Sequence, residues 1–555
     1  MRYMILVFLV MCGVCFGVDR YINWDSGNDT TGDGTIGTPW KTFSKAYSGS
    51  DSGDTVFVQP NDNPSSDPYV EATFLITSLN KSIAYEGASI DAADVVFKGT
   101  SGQTYFIRFE GNDTAATSLS FKNMTLTDDG QNVAMRSASS KIHPTNVTLN
   151  NVVLNSTATS FRSDVGNGTS SEPDITIVNS TINAGTEAVL LEGADIVTIT
   201  DTTINAVNSH GLRLKSAIGT VNISNYIFNA SAGSGGSAII GDTLTSLDYL
   251  IGRGLTFSVN GSAGTGGSGI RIEDFAANIL LDNIVIVNSA TTGNVSGVGI
   301  HVGKDAPTNA NPLGFVSILN ATITYTGDVT SHGLLAGSGC DYGRYENITV
   351  DTRKIESSVG IGLVIKGAGN LFDGIICRSQ RPLYLKGGER NKFINSLYYA
   401  YYITDDKASN STVSLITDVG ELPSNNIIEN CILFAEAGVD VVVYDADGID
   451  HNNLFDYNCL YGADNIAWLD GGVIADISAL RTKWNVYSVL GDENDLNSLE
   501  VNPLLDSNDK PQNPQVIHGG RPDVNGNKTS MGAIQATSIT GTSIFGATTS
   551  IFGDN

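Results

Sequence analysis

The stretch Phe121-Lys122-Asn123-Met124-Thr125-Leu126 decides the fold, because its pattern recurs along the chain. An apolar residue, any residue and an asparagine are followed by two residues and a second apolar one. The copies recur at steps of 21 to 37 residues, and this period together with the local alternation predicts a solenoid built from strands. Further copies centre on Asn151, Asn179, Asn225, Asn283, Asn320, Asn347, Asn395 and Asn430, and Asp201, Gly254 and Gly374 take the asparagine's place in three more.

The asparagine has a physical role in this repeat. Between two strands the chain must bend sharply, and asparagine tolerates the left-handed backbone conformation that such a bend uses. Side-chain amides stacked on successive coils also bond one another. We therefore expect a positive φ at each of these positions and a ladder of amide hydrogen bonds along them.

A second short motif follows the asparagine by about half a coil. Its first and third residues are predicted to point inward and its middle residue outward, since strand side chains alternate. Two strand registers separated by longer excursions are typical of a parallel β-helix. The copies are Val189-Leu190-Leu191, Leu212-Arg213-Leu214, Ala238-Ile239-Ile240, Ile270-Arg271-Ile272, Ile300-His301-Val302, Leu334-Leu335-Ala336, Leu363-Val364-Ile365 and Leu383-Tyr384-Leu385.

Composition agrees with this architecture and limits the function. The 555 residues include 61 Gly and only 14 Pro, and 41% are hydrophobic, which is enough for a packed interior. The formal net charge of −27 argues against nucleic acid or an anionic membrane as partner. An anionic polymer would need a local basic strip or bridging Ca²⁺.

The amino terminus predicts secretion. Residues 1–17 carry Arg2, an apolar run too short to span a bilayer and small residues before a cut at Val18, which indicates a cleaved signal peptide. A lipoprotein signal at Cys12 is the competing interpretation. No later stretch predicts a membrane span, so we expect a secreted or cell-surface protein. Cys340, Cys377, Cys431 and Cys459 then remain, without the close spacing of a metal or redox motif.

Both ends resemble a known family. The stretches Tyr21 to Asp29, Pro39 to Ala46 and Gly53-Asp54-Thr55, with Asn502-Pro503-Leu504 near the other end, resemble the secreted right-handed parallel β-helix proteins related to pectate lyases. The resemblance implies an all-β fold, a right-handed parallel β-helix with a short N-terminal capping helix and a loop-rich C-terminal end. It does not imply one activity, since the family contains lyases, hydrolases, epimerases, binding proteins and virus tail spikes.

The predicted organisation follows from these features. A signal peptide (1–17) precedes the N-terminal cap and first strand (18–60) and the β-helix coils (61–465). A closing segment (466–535) includes a predicted helix over 477–484. A Thr/Ser/Gly-rich tail (536–555) ends the chain.

The outward column of the second register is where chemistry is predicted. Its side chains lie on successive coils, ~4.8 Å apart, and can follow the sugars of a chain. In a β-elimination, Arg213 or Arg271 would neutralise a uronate carboxylate while His301 or Tyr384 abstracts the proton. Ordinary solvated side chains are the alternative explanation. Predicted substrate contacts are Lys215, Glu273, Asp274, Lys304, Asp305, Lys366 and Lys386.

Two other chemistries have weaker support in the sequence. Ser209-His210-Gly211 faintly resembles a polygalacturonase element, but the paired carboxylates that hydrolysis needs are missing, so a lyase is favoured over a hydrolase. Asp445, Asp447 and Asp450 surround a glycine and are a possible calcium site, with Asx turns as the alternative. No other cofactor is indicated.

The sequence therefore supports two functions from different classes. The first is engagement of an extracellular polysaccharide or cell-surface glycan, by a lyase-like enzyme or by a binding protein without catalysis. The second is a structural or adhesive surface protein, including a virus-type fibre or tail spike, and only this alternative suggests a homotrimer.

Overall fold

The computed structural model places most of the predicted coils. It divides into two compact units, Met1–Thr203 (unit 1) and Ile204–Asn555 (unit 2). Residues 1–16 of the predicted signal peptide, the tail and most of the predicted 477–484 helix lie outside the residues that the structure describes. Those residues are 17–72, 74–76, 81–100, 106–109, 117–128, 135–137, 145–164, 172–207, 210–231, 236–260, 267–273, 278–289, 297–303, 314–326, 331–352, 360–401, 411–416, 423–436, 440–445, 453–462, 467–469, 472–476, 478–479, 497–517, 520, 529 and 531–532.

Unit 1 consists of short strands, one α-helix and one 3-10 helix. The helices are α1 (Phe43–Gly49) and η1 (Ala92–Asp94). The strands, of which the last runs on into unit 2, are β1 (Asp19–Ile22), β2 (Thr55–Val58), β3 (Tyr69–Glu71), β4 (Phe74–Ile76), β5 (Ile83–Gly87), β6 (Val96–Gly99), β7 (Ile107–Phe109), β8 (Ser118–Thr127), β9 (Met135–Ser137), β10 (Asn146–Ser156), β11 (Phe161–Asp164), β12 (Asp174–Val178), β13 (Thr181–Ala184), β14 (Val189–Glu192) and β15 (Ala194–Ala206).

Unit 2 continues the same construction and includes the four-residue helix α2 (Pro514–Ile517). Its strands are β16 (Leu212–Ser231), β17 (Ile239–Asn260), β18 (Ile270–Ile272), β19 (Asn278–Asn288), β20 (Gly297–Val302), β21 (Val316–Tyr325), β22 (Ser331–Ala336), β23 (Arg344–Asp351), β24 (Gly360–Ile365), β25 (Leu371–Asp373), β26 (Ile376–Ser379), β27 (Arg381–Lys386), β28 (Lys392–Ile394), β29 (Leu397–Ala400), β30 (Ser411–Ile416), β31 (Ile427–Glu429), β32 (Ile432–Ala435), β33 (Asp440–Asp445), β34 (Leu454–Asp456), β35 (Cys459–Tyr461), β36 (Ala467–Leu469), β37 (Gly472–Ile474) and β38 (Leu499–Glu500).

Each strand pairs in parallel with the strand one coil further along. In unit 1, β10 pairs in this way with both β8 and β12, and in unit 2, β19 pairs with both β17 and β21. Among the described strands, the antiparallel pair β36–β37 is the exception. The expected parallel β-helix is therefore confirmed in each unit. No helix among the described residues is long and apolar enough to cross a membrane.

The predicted bends are confirmed at all twelve positions. Every asparagine of the repeat, together with Asp201, Gly254 and Gly374, has φ between 47° and 66°. Side chains stack where expected: Asn151 Nδ2 donates to Asn123 Oδ1 at 2.9 Å in unit 1, and Asn347 Nδ2 to Asn320 Oδ1 at 3.2 Å in unit 2. In the coil after Asn430 the bend falls on Tyr457, with φ of 53°.

The interior is apolar and closely stacked. In unit 1, Phe43 of α1 lies 3.7 Å between ring centroids from Phe97 and 5.3 Å from Phe74, so the helix closes the core of the first coils as the resemblance implied. The Glu71 carboxylate accepts hydrogen bonds from the first backbone N–H groups of this helix. In unit 2, Tyr345, Phe372 and Phe393 form one continuous stack on successive coils.

Candidate functional site

The predicted outward column of unit 2 exists as a register of paired residues. Arg271 pairs with His301, and Ile240 separates Arg271 from Arg213. Leu335 and Val364 then follow before Tyr384. The structure therefore brings Arg271 and His301 together and holds Tyr384 apart from both of them. We call the column from Arg213 to Tyr384 the unit 2 strip.

One coil of the strip was predicted one residue out of register. The sequence predicts the motif at Ala238-Ile239-Ile240. In the structure it is Ile239-Ile240-Gly241, because Leu212, the first residue of the preceding copy, pairs with Ile239. Gly241 takes the inward position where an apolar side chain was expected. A Cβ at Gly241 would lie 2.6 Å from a Leu244 methyl group, so the leucine fills the space that the glycine leaves. The outward residue of this coil is thus Ile240, which is itself buried.

Arg271, Glu273 and His301 form a connected cluster. Nε of Arg271 donates to Oε1 of Glu273 at 2.7 Å, and Nδ1 of His301 lies 3.3 Å from the same oxygen. The Arg271 side chain is 43% exposed, whereas that of His301 is only 6% exposed. The cluster therefore presents an arginine to solvent and keeps the histidine beneath the surface, where Glu273 orients its ring.

Beyond His301 the strip becomes apolar. Val298, Leu335, Ile361 and Val364 form a buried cluster on this face, and Tyr384 packs against it. The guanidinium carbon of Arg381 lies 5.5 Å from the Tyr384 ring centroid, a cation–π contact. This part of the unit 2 strip is therefore apolar and largely buried, in contrast to the exposed Arg271.

The other predicted residues have varied positions. Lys366 is buried, with 9% of its surface exposed, and Lys215 and Lys386 are half-buried. Asp274, Lys304 and Asp305 lie outside the described residues. Of the predicted calcium ligands, Asp445 ends β33, whereas Asp447 and Asp450 are not among the described residues. Within the described part of the chain, no group of three or more His, Cys, Asp or Glu side chains is placed to hold a metal ion.

Unit 1 contains a basic column that sequence reasoning missed. Arg108 of β7 pairs with Arg136 of β9, and Arg136 pairs with Arg162 of β11. We call these three residues the arginine ladder. Each follows an apolar residue, which is the available sequence signal. It was missed because the third position of the motif is a serine in two coils, Ser137 and Ser163, rather than an apolar residue, yet Ser163 is buried.

The ladder concentrates positive charge in an acidic protein. Adjacent strands lie ~4.8 Å apart, so the three arginine positions are spaced at the coil repeat. Glu192 is an ion-pair partner at one end of the ladder, where Arg162 Nη2 lies 3.3 Å from its Oε1. Both side chains of that ion pair are about 30% exposed. Arginines repeated at the coil spacing match a polymer whose negative charges repeat along its length.

Comparison with protein-family models and with curated proteins finds no match to this chain. Among solved structures, one that matches is described as "Crystal structure of pectate lyase Pel9A". It is 13% identical to this chain, and the match covers 94% of this chain and 97% of that chain with a TM-score of 0.21. At this level of similarity, the fold assignment rests on the strand pairing and bend geometry of the chain itself.

Proposed function

We propose that this protein binds an anionic polysaccharide, a polyuronate or a sulfated glycan, outside the cell. The arginine ladder of unit 1 is the observation that carries this proposal, since three arginines occupy paired positions on successive coils. Guanidinium groups form paired hydrogen bonds with carboxylates and sulfates. In a chain with a net charge of −27, such a column is a local exception that a polyanion would recognise.

The unit 2 strip supports the same function through different residues. Arg271 is the exposed member of its cluster, and Glu273 holds its guanidinium in a defined orientation. An arginine held in this way loses less conformational entropy when it contacts a ligand. We therefore assign Arg271 a substrate-binding role in unit 2, alongside the ladder in unit 1.

Burial favours binding over catalysis. A general base must come within hydrogen-bond reach of the proton that it abstracts. His301 is 5% exposed, so a polysaccharide lying on the surface does not reach its ring without movement of the residues around it. Tyr384, the other predicted base, is separated from Arg271 by three coils of the strip. Proton abstraction next to a neutralised carboxylate therefore has no well-placed base among these residues.

The test measures binding of the purified protein to polyuronates and sulfated polysaccharides at several salt concentrations. Arg162→Gln is expected to weaken binding about tenfold and to reduce the salt-dependence slope by about one, because one contact with a carboxylate or sulfate of the polymer is lost. Arg344→Gln is the matched control: Arg344 is also ion-paired, to Glu346, but lies on another strand column. Circular dichroism verifies that both variants are folded.

The outcomes separate the functional classes. Equal weakening by the two variants, or no binding to any polymer in the panel, would overturn the proposal and favour a structural role. Ultraviolet absorbance at the wavelength of unsaturated uronates is followed in the same samples. We expect no increase, and a sustained increase would replace binding with β-elimination as the function.

A further inference from the structure

Unit 1 has a shallow groove of about 760 Å³ on another strand column. Its floor follows residues in register on successive coils, from Tyr21 and Phe57 through Glu86 and Lys122 to Asn150. Four steps of ~4.8 Å make this floor about 19 Å long, which is room for several sugar rings. None of these residues belongs to the arginine ladder. We propose that this groove is a second glycan site and that it takes a neutral, hydroxyl-rich polysaccharide.

One end of the groove offers an aromatic surface. The rings of Tyr21 and Phe57 are stacked, with centroids 5.7 Å apart and planes 28° from parallel. Both side chains are half-buried, so they are held in place while part of each ring meets solvent. Aromatic rings of this kind pack against the apolar C–H faces of sugar rings while leaving the sugar hydroxyls free for polar contacts.

An exposed isoleucine forms part of the groove wall. Ile90 is 85% exposed, although its backbone is held firmly: its carbonyl accepts a hydrogen bond from Asn151 Nδ2 at 2.7 Å. The neighbouring Ser89 and Asp91 are fixed by hydrogen bonds within the same turn. A large apolar side chain on a rigid turn gains free energy when a ligand covers it. The groove therefore has an apolar side chain in its wall in addition to the aromatic pair at one end, which suits a ligand with alternating apolar and polar surface.

The charges of the groove select against anions. Among the described residues that line the groove, Lys122 is the one cation; its Nζ lies 2.6 Å from Glu86 Oε1 and is neutralised by it, and Asp19 adds a further negative charge. An anionic polymer would meet a net negative surface here. The remaining polar lining is mostly amide, including Gln59 and Asn150, and amide side chains both donate and accept hydrogen bonds. Hydroxyl groups, which also donate and accept, are the matching partners.

Gel retardation against soluble neutral polysaccharides (galactomannan, xyloglucan and mixed-linkage β-glucan) tests the site. Ile90→Ser and Tyr21→Ala are each expected to weaken retardation by the best of these polymers about tenfold, the loss expected when an apolar contact surface is removed. Ile36→Ser is the matched control, since Ile36 is 72% exposed in unit 1 but does not line the groove. Because Ile90 and Ile36 are both exposed, neither serine variant should affect folding.

Binding of neutral polymers in the groove can be distinguished from binding of anionic polymers by the arginine ladder. Retardation by neutral polymers should be insensitive to salt and unchanged in Arg162→Gln, whereas binding through the arginine ladder falls with salt. No retardation by any of the three polymers would overturn the proposal. Equal effects of Ile90→Ser and Ile36→Ser, or stronger retardation of both isoleucine variants than of wild type, would overturn it as well.

Discussion

Asn370 donates both its backbone N–H and its side-chain Nδ2 to one atom, Oδ1 of Asn391, at 2.9 and 3.0 Å. The same double contact joins Asn391 to Asn426 and Asn426 to Asn453. All four asparagines are buried. One amide oxygen on each coil thus satisfies two buried donors of the preceding coil in unit 2. We call this series of four asparagines the buried ladder.

Replacement of Asn391 by alanine is therefore expected to destabilise unit 2 strongly. The change leaves the backbone N–H and the amide of Asn370 without their acceptor and removes the donor that Asn391 directs to the Gly367 carbonyl at 3.0 Å. Buried polar groups without partners cost roughly 1–3 kcal/mol each, so a loss of about 3 kcal/mol or more is expected. The urea midpoint, followed by circular dichroism, measures it.

Asn229→Ala is the control for that experiment. Asn229 also forms a ladder contact, donating to Asn205 Oδ1 at 3.0 Å, but its side chain is exposed. Water replaces the lost partner, and the expected cost is below about 1 kcal/mol. Similar midpoints for the two variants would contradict a special role for the buried ladder.

The contribution of the asparagine bends to the stability of the fold should depend on backbone conformation more than on side-chain contacts. Asn283 has φ of 57° and is exposed. Alanine at this position forces a residue with a Cβ into the left-handed region and is expected to cost about 1–2 kcal/mol, whereas glycine should be nearly neutral. Urea midpoints of Asn283→Ala and Asn283→Gly provide the comparison. If glycine were the more damaging change, side-chain contacts would be the main contribution at this bend.

Removal of the Glu273 charge should strengthen anionic binding in unit 2. Glu273 neutralises Arg271, so Glu273→Gln leaves the guanidinium facing the ligand without a competing carboxylate. A unit charge at about 4 Å in water contributes ~1 kcal/mol, so affinity for a polyuronate should rise about fivefold. Glu346→Gln is the control, because Glu346 pairs with Arg344 at the same two-residue spacing on another column. Weaker binding of Glu273→Gln would indicate that Glu273 itself contacts the ligand.

Asp54, in the stretch Gly53-Asp54-Thr55, should make a pH-dependent contribution to the stability of the fold. Burial acts to raise the pKa of Asp54, but hydrogen bonds from the backbone N–H groups of Val18 and Asp51 and from Arg20 outweigh it and hold the pKa below its ordinary value of 3.8. The carboxylate therefore stabilises the fold above pH 3.8, and this stabilisation is lost as the pH falls through the lower folded-state pKa.

Asp54→Asn isolates this effect, because both proteins share every other titrating group. The free energy of unfolding of wild type minus that of the variant should be largest near neutral pH and should shrink below pH 3.8. Chemical denaturation across that pH range measures the difference. A difference that is independent of pH would show that the Asp54 charge does not contribute.

The four cysteines of unit 2 should be inert in the native protein. Cys340, Cys377, Cys431 and Cys459 are free thiols and are buried. Burial raises the pKa of all four, for Cys431 and Cys459 to about 12, so little thiolate forms at pH 8. A thiol-specific reagent should modify none of these sites until denaturant is added and all four afterwards, as mapped by mass spectrometry. Rapid labelling of any of them in buffer would contradict this.

Local sequence was sufficient for the bends and for much of the strand register. A left-handed residue is a single-position requirement, so asparagine at a regular interval predicts it directly, as Asn283 and Asn320 demonstrate. Alternation likewise placed Arg271 and His301 on one outward column, and the pairing confirms it. The alternation pattern failed where a small or polar residue took an inward position. At Gly241 the side chain of Leu244 fills the space, and at Ser163 a hydroxyl-bearing side chain is itself buried.

By itself, the sequence determined that this chain forms bent parallel strands and which side chains leave each coil outward, because both properties depend on neighbours in the chain. Only the tertiary structure decided which outward side chains meet solvent. Arg271 and His301 are equivalent in pattern, yet one is exposed and the other buried. It also aligned Arg108, Arg136 and Arg162 into one ladder. Burial and charge clustering arise between coils that are distant in sequence, and no local pattern encodes those distances.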